Sequence, residues 1–279
     1  MPLNTLIDAS ALKAILEQKE TIILDCRFYL TDHDKGKGEY NKGHLPRAIF
    51  VDVHQQLAGV ETKETGRHPL PDVEVFAELL QSWGIQPDSR VVVYDDMGGA
   101  IAARAWWMMA QQGIDVSVLN GGINVWQQQG FPISIDNVIP ERSLYRYQVS
   151  FPWQVTEQQI VENFELDSFV LVDARAKDRY QGENETIDPV AGHIPGAVNR
   201  PFSDNLIETG EFKTKEDLLR EWNDVASSGE PLVHYCGSGI TSCHNVLAMN
   251  YAGLSASKVY VGSWSQWAKR MLKAANITS

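Results

Sequence analysis

Cysteine is scarce in this chain: Cys26, Cys236 and Cys243 are the only three among 279 residues. So small and odd a set cannot be the framework of a disulfide-stapled domain, and a reducing cytoplasm is the expected setting. Long apolar runs are missing too. No stretch reaches the roughly 18 apolar residues that a membrane span needs, and the start, Met1 to Thr5, lacks the basic stretch and apolar run of a secretory signal. Positive charge is also in short supply. Lys and Arg number 24 against 36 Asp and Glu, a net charge of −12, and the cations are scattered. Nucleic-acid binding relies on cations that neutralise phosphates, so neither a nucleic-acid nor a membrane partner is expected. There is no glycine-rich phosphate loop of the nucleotide-binding kinds. His234, Cys236, Cys243 and His244 cluster in sequence, but their intervals fit no common zinc pattern. No metal and no cofactor are expected.

What the chain does contain is one unit written twice. Ile22-Ile23-Leu24-Asp25-Cys26-Arg27 matches Val170-Leu171-Val172-Asp173-Ala174-Arg175 at an offset of 148. Upstream, Asp8 matches Thr156, and both are good N-caps; Thr156 with Gln159 fits a capping box. Gly43-His44-Leu45-Pro46 matches Gly192-His193-Ile194-Pro195 at 149, and Val92-Val93-Tyr94-Asp95 matches Val233-His234-Tyr235-Cys236 at 141. Gly121 and Trp126 match Gly262 and Trp267, again at 141. Short β-rich runs at 21–25, 91–94, 116–119, 168–172, 231–235 and 258–261 alternate with helical patterns. Helices are expected over about 100–112 and 240–252, stopping near Gly113 and Gly253. This alternation predicts an α/β fold: two tandem domains, each a mostly parallel sheet covered by helices on both faces. The domains are expected at 1–135 and 152–279, with a surface linker at 136–151.

Residues shared by the copies read as scaffold. His44 and His193 are expected to tie down a loop, Asp25 and Asp173 to bond nearby backbone, and Trp126, Trp267, Trp106 and Trp107 to pack. The unshared residue is the thiol, since Cys236 stands where the first copy has Asp95. Ligands of open α/β sheets bind outside the carboxyl ends of strands, and Cys236 follows such a strand. Gly237 and Gly239 allow the backbone to curl its N–H groups toward the sulfur, Ser238 and Thr241 add hydroxyl donors, and the following helix adds its positive end. Together these should lower the thiol pKa and supply a thiolate near neutral pH. Cys243 reads as a small core residue.

Asp173-Ala174-Arg175, Gly192-His193-Ile194-Pro195-Gly196-Ala197, Cys236-Gly237-Ser238-Gly239-Ile240-Thr241 and Gly262-Ser263-Trp264 together resemble the two-domain sulfurtransferases of the rhodanese superfamily, most of all the 3-mercaptopyruvate type. The resemblance covers nearly the whole chain. It implies two similar domains that face each other, with the reactive cysteine in the second. It also implies covalent, ping-pong transfer of a sulfane sulfur through a Cys236 persulfide. The donor would be small, 3-mercaptopyruvate or else thiosulfate, and the acceptor a thiol, cyanide or thioredoxin. The loop Gly237-Ser238-Gly239-Ile240-Thr241 lacks the two cations that suit thiosulfate and favours mercaptopyruvate. Ser238 would help handle a proton, Arg179 would bind the donor, and His68 in Gly66-Arg67-His68-Pro69 matches a family histidine. Arg67 could add positive potential. The second substrate arginine of the mercaptopyruvate enzymes has no match in Glu183–Pro189. The family's interface acid falls at His54, with Asp52 a possible neighbour in its place. A cysteine phosphatase would need an arginine where Ser242 stands. A protein-to-protein persulfide carrier is the remaining alternative.

Overall fold

A computed structural model describes residues 4–225, 229–254 and 257–277; Met1 to Leu3, part of the segment read above for a secretory signal, lie outside them. The chain divides into two compact units. Unit one comprises residues 1–59, 71–152 and 206–212, and unit two comprises 60–70, 153–205 and 213–279. A segment of each sequence half therefore makes its contacts in the other half's unit. The segment at 60–70, which carries Arg67 and His68, belongs to unit two.

Unit one runs β1 (Leu6–Ile7), α1 (Ala9–Ile15), β2 (Thr21–Asp25), α2 (His33–Lys42), β3 (Ala48–Phe50), α3 (Val53–Gln56), α4 (Val73–Ser82), β4 (Arg90–Tyr94), α5 (Ala102–Ala110), β5 (Asp115–Leu119) and α6 (Gly122–Gln128). Unit two runs β6 (Gln154–Val155), α7 (Glu157–Leu166), β7 (Val170–Asp173), α8 (Lys177–Gln181), β8 (Val198–Asn199), a 3-10 turn (Phe202–Asn205), α9 (Lys215–Val225), β9 (Leu232–Tyr235), α10 (Ser242–Tyr251), β10 (Lys258–Tyr260) and α11 (Ser263–Ile277). The sheet orders are β1-β5-β4-β2-β3 and β6-β10-β9-β7-β8, and every pairing is parallel. The six strands expected from β-rich runs are present. The short strands β1, β3, β6 and β8 were not anticipated, because two or three residues carry no alternation to detect.

Parallel strands flanked by helices bury apolar side chains on both faces. Leu12, Leu16, Ile23, Val92, Tyr94 and Trp126 form part of one core, and Ile160, Leu171, Val233, Tyr235, Trp264 and Ala268 part of the other. Each Leu, Ile or Val among them contributes roughly 1.5–3 kcal/mol when fully buried. Trp106 and Trp107 are fully buried, as packing residues would be. Thr156 and Gln159 form the capping box of α7. Asp8 occupies the N-cap of α1, but its side chain makes no cap hydrogen bond.

The shared residues build the same lock twice. At the end of β2, Asp25 accepts from the Arg27 N–H at 3.1 Å and pairs with the Arg27 guanidinium at 2.6 Å. Arg27 reaches on to the Gly43 carbonyl at 2.8 Å. At the end of β7, Asp173 and Arg175 repeat this at 2.9 and 2.6 Å, and Arg175 reaches the Gly192 carbonyl at 2.7 Å. His44 and His193 each bond through Nδ1 to a carbonyl, that of Tyr40 or Tyr180, at 2.8 Å, and each stacks on that tyrosine ring. The paired aspartates bond neighbouring backbone as expected; their arginine partners, two residues on, also hold the Gly-His-x-Pro turns.

Asp95, just after β4, is wholly buried. Its Oδ1 accepts from the N–H groups of Met97 and Gly99, both at 2.8 Å, and its Oδ2 from those of Ile101 and Ala102 at 2.7 and 2.8 Å. Burial raises the Asp95 pKa, and the four N–H donors limit the rise. Asp95→Ala would leave those donors without their acceptor. It should cost about 3 kcal/mol or more in urea unfolding, since each unsatisfied buried group costs about 1–3 kcal/mol. A loss below about 0.5 kcal/mol would contradict a supporting role for the carboxylate.

Candidate active site

In unit two the strand order reverses between β7 and β9, and the crevice at their carboxyl ends is the natural ligand site of such a sheet. Cys236 leaves β9 there, and α8, after β7, carries Arg179. Cys236 is 2 % exposed. The Gly239 N–H donates to its Sγ at 3.1 Å. Gly239 has φ +80°, and a Cβ there would lie 2.4 Å from the Val261 carbonyl oxygen. Only glycine can make this turn, which aims the N–H at the sulfur. The start of α11 fixes the loop from behind: Ser263 Oγ accepts the Cys236 N–H at 3.1 Å, and the N–H groups of Trp264 and Ser265 donate to the Cys236 and Gly237 carbonyls, both at 2.9 Å.

Burial alone would push the Cys236 thiol up. The Thr241 hydroxyl and the N–H groups of Ser238 and Ser242 outweigh it, and the net shift is downward. A hydrogen bond that favours the charged form lowers a pKa, and several converging donors overcome desolvation. Cys26, at the end of β2, shows the opposite balance: burial first, then Asp25 and Asp95, push its pKa well up. Cys243 is fully buried, with its Sγ 3.5 Å from the Gly239 carbonyl oxygen. None of the three cysteines is in a disulfide.

Two guanidinium groups converge beside the loop. A Cβ built on Gly237 would lie 3.1 Å from Arg67 Nη2 and 3.5 Å from Arg179 Nη1. Arg67 pairs through Nη1 with Asp188, and Arg179 pairs through Nη2 with Glu185 at 2.8 Å and with Asp188 at 3.3 Å. Glu185 also reaches Arg175 at 3.3 Å. His68 is buried, with its Nδ1 2.8 Å from Ser238 Oγ. The 60–70 segment that brings Arg67 and His68 is tied to α11: the Arg67 N–H donates to Ser265 Oγ at 3.1 Å, and Lys269 Nζ donates to the Thr62 and Thr65 carbonyls at 3.0 and 2.9 Å.

Of the residues singled out from sequence, Cys236, Gly237, Ser238, Gly239, Ile240, Thr241, Arg179, Arg67 and His68 all lie in unit two. Asp52 lies in unit one, where its carboxylate accepts the Gln55 N–H at 3.0 Å and caps α3. Glu185 and Asp188 were missed. Their stretch was read only for an arginine it lacks, although its acidic residues were the signal. His234 is neutral, its pKa lowered to about 3 by burial, and its Nε2 lies 3.2 Å from Met249 Sδ. Among the described residues, no group of three or more His, Cys, Asp or Glu side chains is placed to hold a metal. Among the described residues, no helix is long and apolar enough to cross a membrane.

Residues 8–129 and 156–270 match the model of the rhodanese-like domain. The chain belongs to the rhodanese family. It is 40% identical over 268 residues to a probable 3-mercaptopyruvate sulfurtransferase of Pseudomonas aeruginosa, covering 94% of each chain. It is 35% identical to the thiosulfate sulfurtransferase of Mus musculus, covering 89% of this chain and 85% of that one. Its backbone resembles a solved 3-mercaptopyruvate sulfurtransferase of Leishmania major, with a TM-score of 0.88 at 28% identity, covering 98% of this chain and 76% of that one.

The local donors make a prediction about pH. Alkylation of Cys236 by iodoacetamide should rise with pH through an inflection below the ordinary thiol range, because the thiolate is the reactive form. Thr241→Val should move that inflection upward. An inflection at or above about 8.5, the value of a free thiol, would contradict the cradle's effect.

Proposed function

We propose that this protein is a sulfurtransferase that carries a sulfane sulfur on Cys236, with 3-mercaptopyruvate as the favoured donor. The observation that supports the reading best is a buried cysteine with a lowered pKa, ringed by N–H donors, beside two guanidinium groups that flank Gly237. Arg179 and Arg67 bind the donor carboxylate, since a guanidinium edge suits a carboxylate. Arg67 thereby supplies the second arginine that Glu183–Pro189 lacks. The Cys236 thiolate attacks the donor sulfur, and a sulfur–sulfur bond forms. The donor carbon–sulfur bond breaks, and its electron pair stays on carbon as the pyruvate enolate. That carbon takes the proton released by the donor thiol, relayed through Ser238 and His68, which leaves pyruvate and Cys236–S–S⁻. The N–H groups of the loop stabilise the negative charge on either sulfur.

In the second half-reaction a thiol, cyanide or thioredoxin attacks the outer sulfur, and the electron pair of the sulfur–sulfur bond returns to Cys236 as thiolate. No step requires a cofactor. Thiosulfate is the alternative donor, since guanidinium N–H groups also bind its oxygens; sulfite would then be the leaving group. A persulfide carrier that serves one protein partner would use the same cysteine but turn over slowly with small donors. The reducing cytoplasm is the compartment proposed, because the lone reactive thiol would otherwise be oxidised.

Exposure to mercaptopyruvate should make the protein one sulfur atom heavier, with the added mass on the peptide that holds Cys236, and cyanide should remove it. An unmodified Cys236 after exposure to both mercaptopyruvate and thiosulfate would overturn the reading. Arg179→Ala should slow persulfide formation at low donor about 100-fold, in line with loss of a charge-assisted pair, and slow discharge to cyanide far less. Equal loss in both half-reactions would contradict the assigned role of Arg179.

A further inference from the structure

We infer that Asp188 is a specificity-determining residue: it bridges Arg67 and Arg179 and sets the charge that the donor meets. The inference rests on the sulfurtransferase reading. Asp188 Oδ1 pairs with Arg67 Nη1 and Asp188 Oδ2 with Arg179 Nη2, so one carboxylate spans both guanidinium groups. Its side chain is 1 % exposed, which keeps water from screening either pair. Nη2 of Arg67 and both terminal nitrogens of Arg179 lie beside Gly237 and the cysteine loop, and the carboxylates pair through Nη1 of Arg67 and Nη2 of Arg179.

The charges of Arg67 and Arg179 are matched one for one by Glu185 and Asp188. The pair therefore offers directional N–H donors with little net positive field. A single carboxylate, as in mercaptopyruvate, can use both open edges. A dianion such as thiosulfate gains the same hydrogen bonds but brings a second negative charge close to Asp188. Like charges in a poorly screened site repel strongly, so the resident carboxylate discriminates by charge number. Glu185 is less suited to this role, because it also accepts the N–H groups of Ile187 and Asp188 at 3.0 Å and so shapes its own loop.

The test is Asp188→Asn, which keeps size and removes the charge, with kcat/KM measured for both donors at fixed ionic strength and cyanide as acceptor. The ratio of thiosulfate to mercaptopyruvate activity should rise about tenfold, as expected for one unit charge in a partly screened site, chiefly through a lower KM for thiosulfate. Asp188→Glu, which keeps the charge, should hold the ratio within about twofold of the wild type. If Asp188→Asn does not yield folded protein, Asp188→Ser is read the same way. An active uncharged variant whose ratio stays within about twofold of the wild type, or falls, would overturn the role of Asp188 and leave the sulfurtransferase reading standing. A wild-type protein that gains no sulfur on Cys236 from either donor would overturn both.

Discussion

A negative charge buried at the carboxyl end of a central parallel strand survives only if main-chain N–H groups surround it. The loops after β4 and β9 meet that requirement in two ways. After β4 the acceptor is a resident side chain, the Asp95 carboxylate with four N–H groups at 2.7–2.8 Å. After β9 the charge belongs to the chemistry, a thiolate that the Gly239 N–H reaches at 3.1 Å and that further donors in the loop favour. Unit one closes its loop with its own side chain. Unit two leaves the same position to a sulfur that can react.

The rest of unit two serves that loop. The Asp173–Arg175 pair fixes the end of the neighbouring strand and the Gly-His-x-Pro turn. The start of α11 holds both the cysteine loop, through Ser263, and the Arg67 backbone, through Ser265. One helix end thus sets the spacing between Cys236 and Arg67. Lys269 on that helix clamps the segment further. Placing the reacting groups on rigid elements in this way limits the reorganisation that transfer requires.

Much of this was legible in the sequence, for identifiable reasons. The repeat exposed the two units, because strand ends and turns need the same residues wherever they recur. The exchange of Asp95 for Cys236 singled out the thiol whose pKa the loop lowers, because it breaks the repeat at a position that is structurally equivalent. The membership of residues 60–70 in unit two was hidden, because sequence order gives no account of which unit a segment contacts. The arginine missing from Glu183–Pro189 pointed to a gap in the site. That Asp188 holds Arg67 beside the cysteine loop depends on a contact across 121 residues of sequence, and no local pattern records such a contact. Asp52 carries a capping role for α3 that was not read from the sequence, although the N-cap pattern of its immediate neighbours was there to find.

The central claim is that the Cys236 loop is an anion cradle built for a sulfur that comes and goes. The most direct measurement is a high-resolution crystal structure of the protein after reaction with donor. The account predicts a second sulfur on Cys236 within hydrogen-bonding distance of main-chain N–H groups of residues 237–242. An outer sulfur turned out of the loop, with no main-chain N–H within reach, would contradict it.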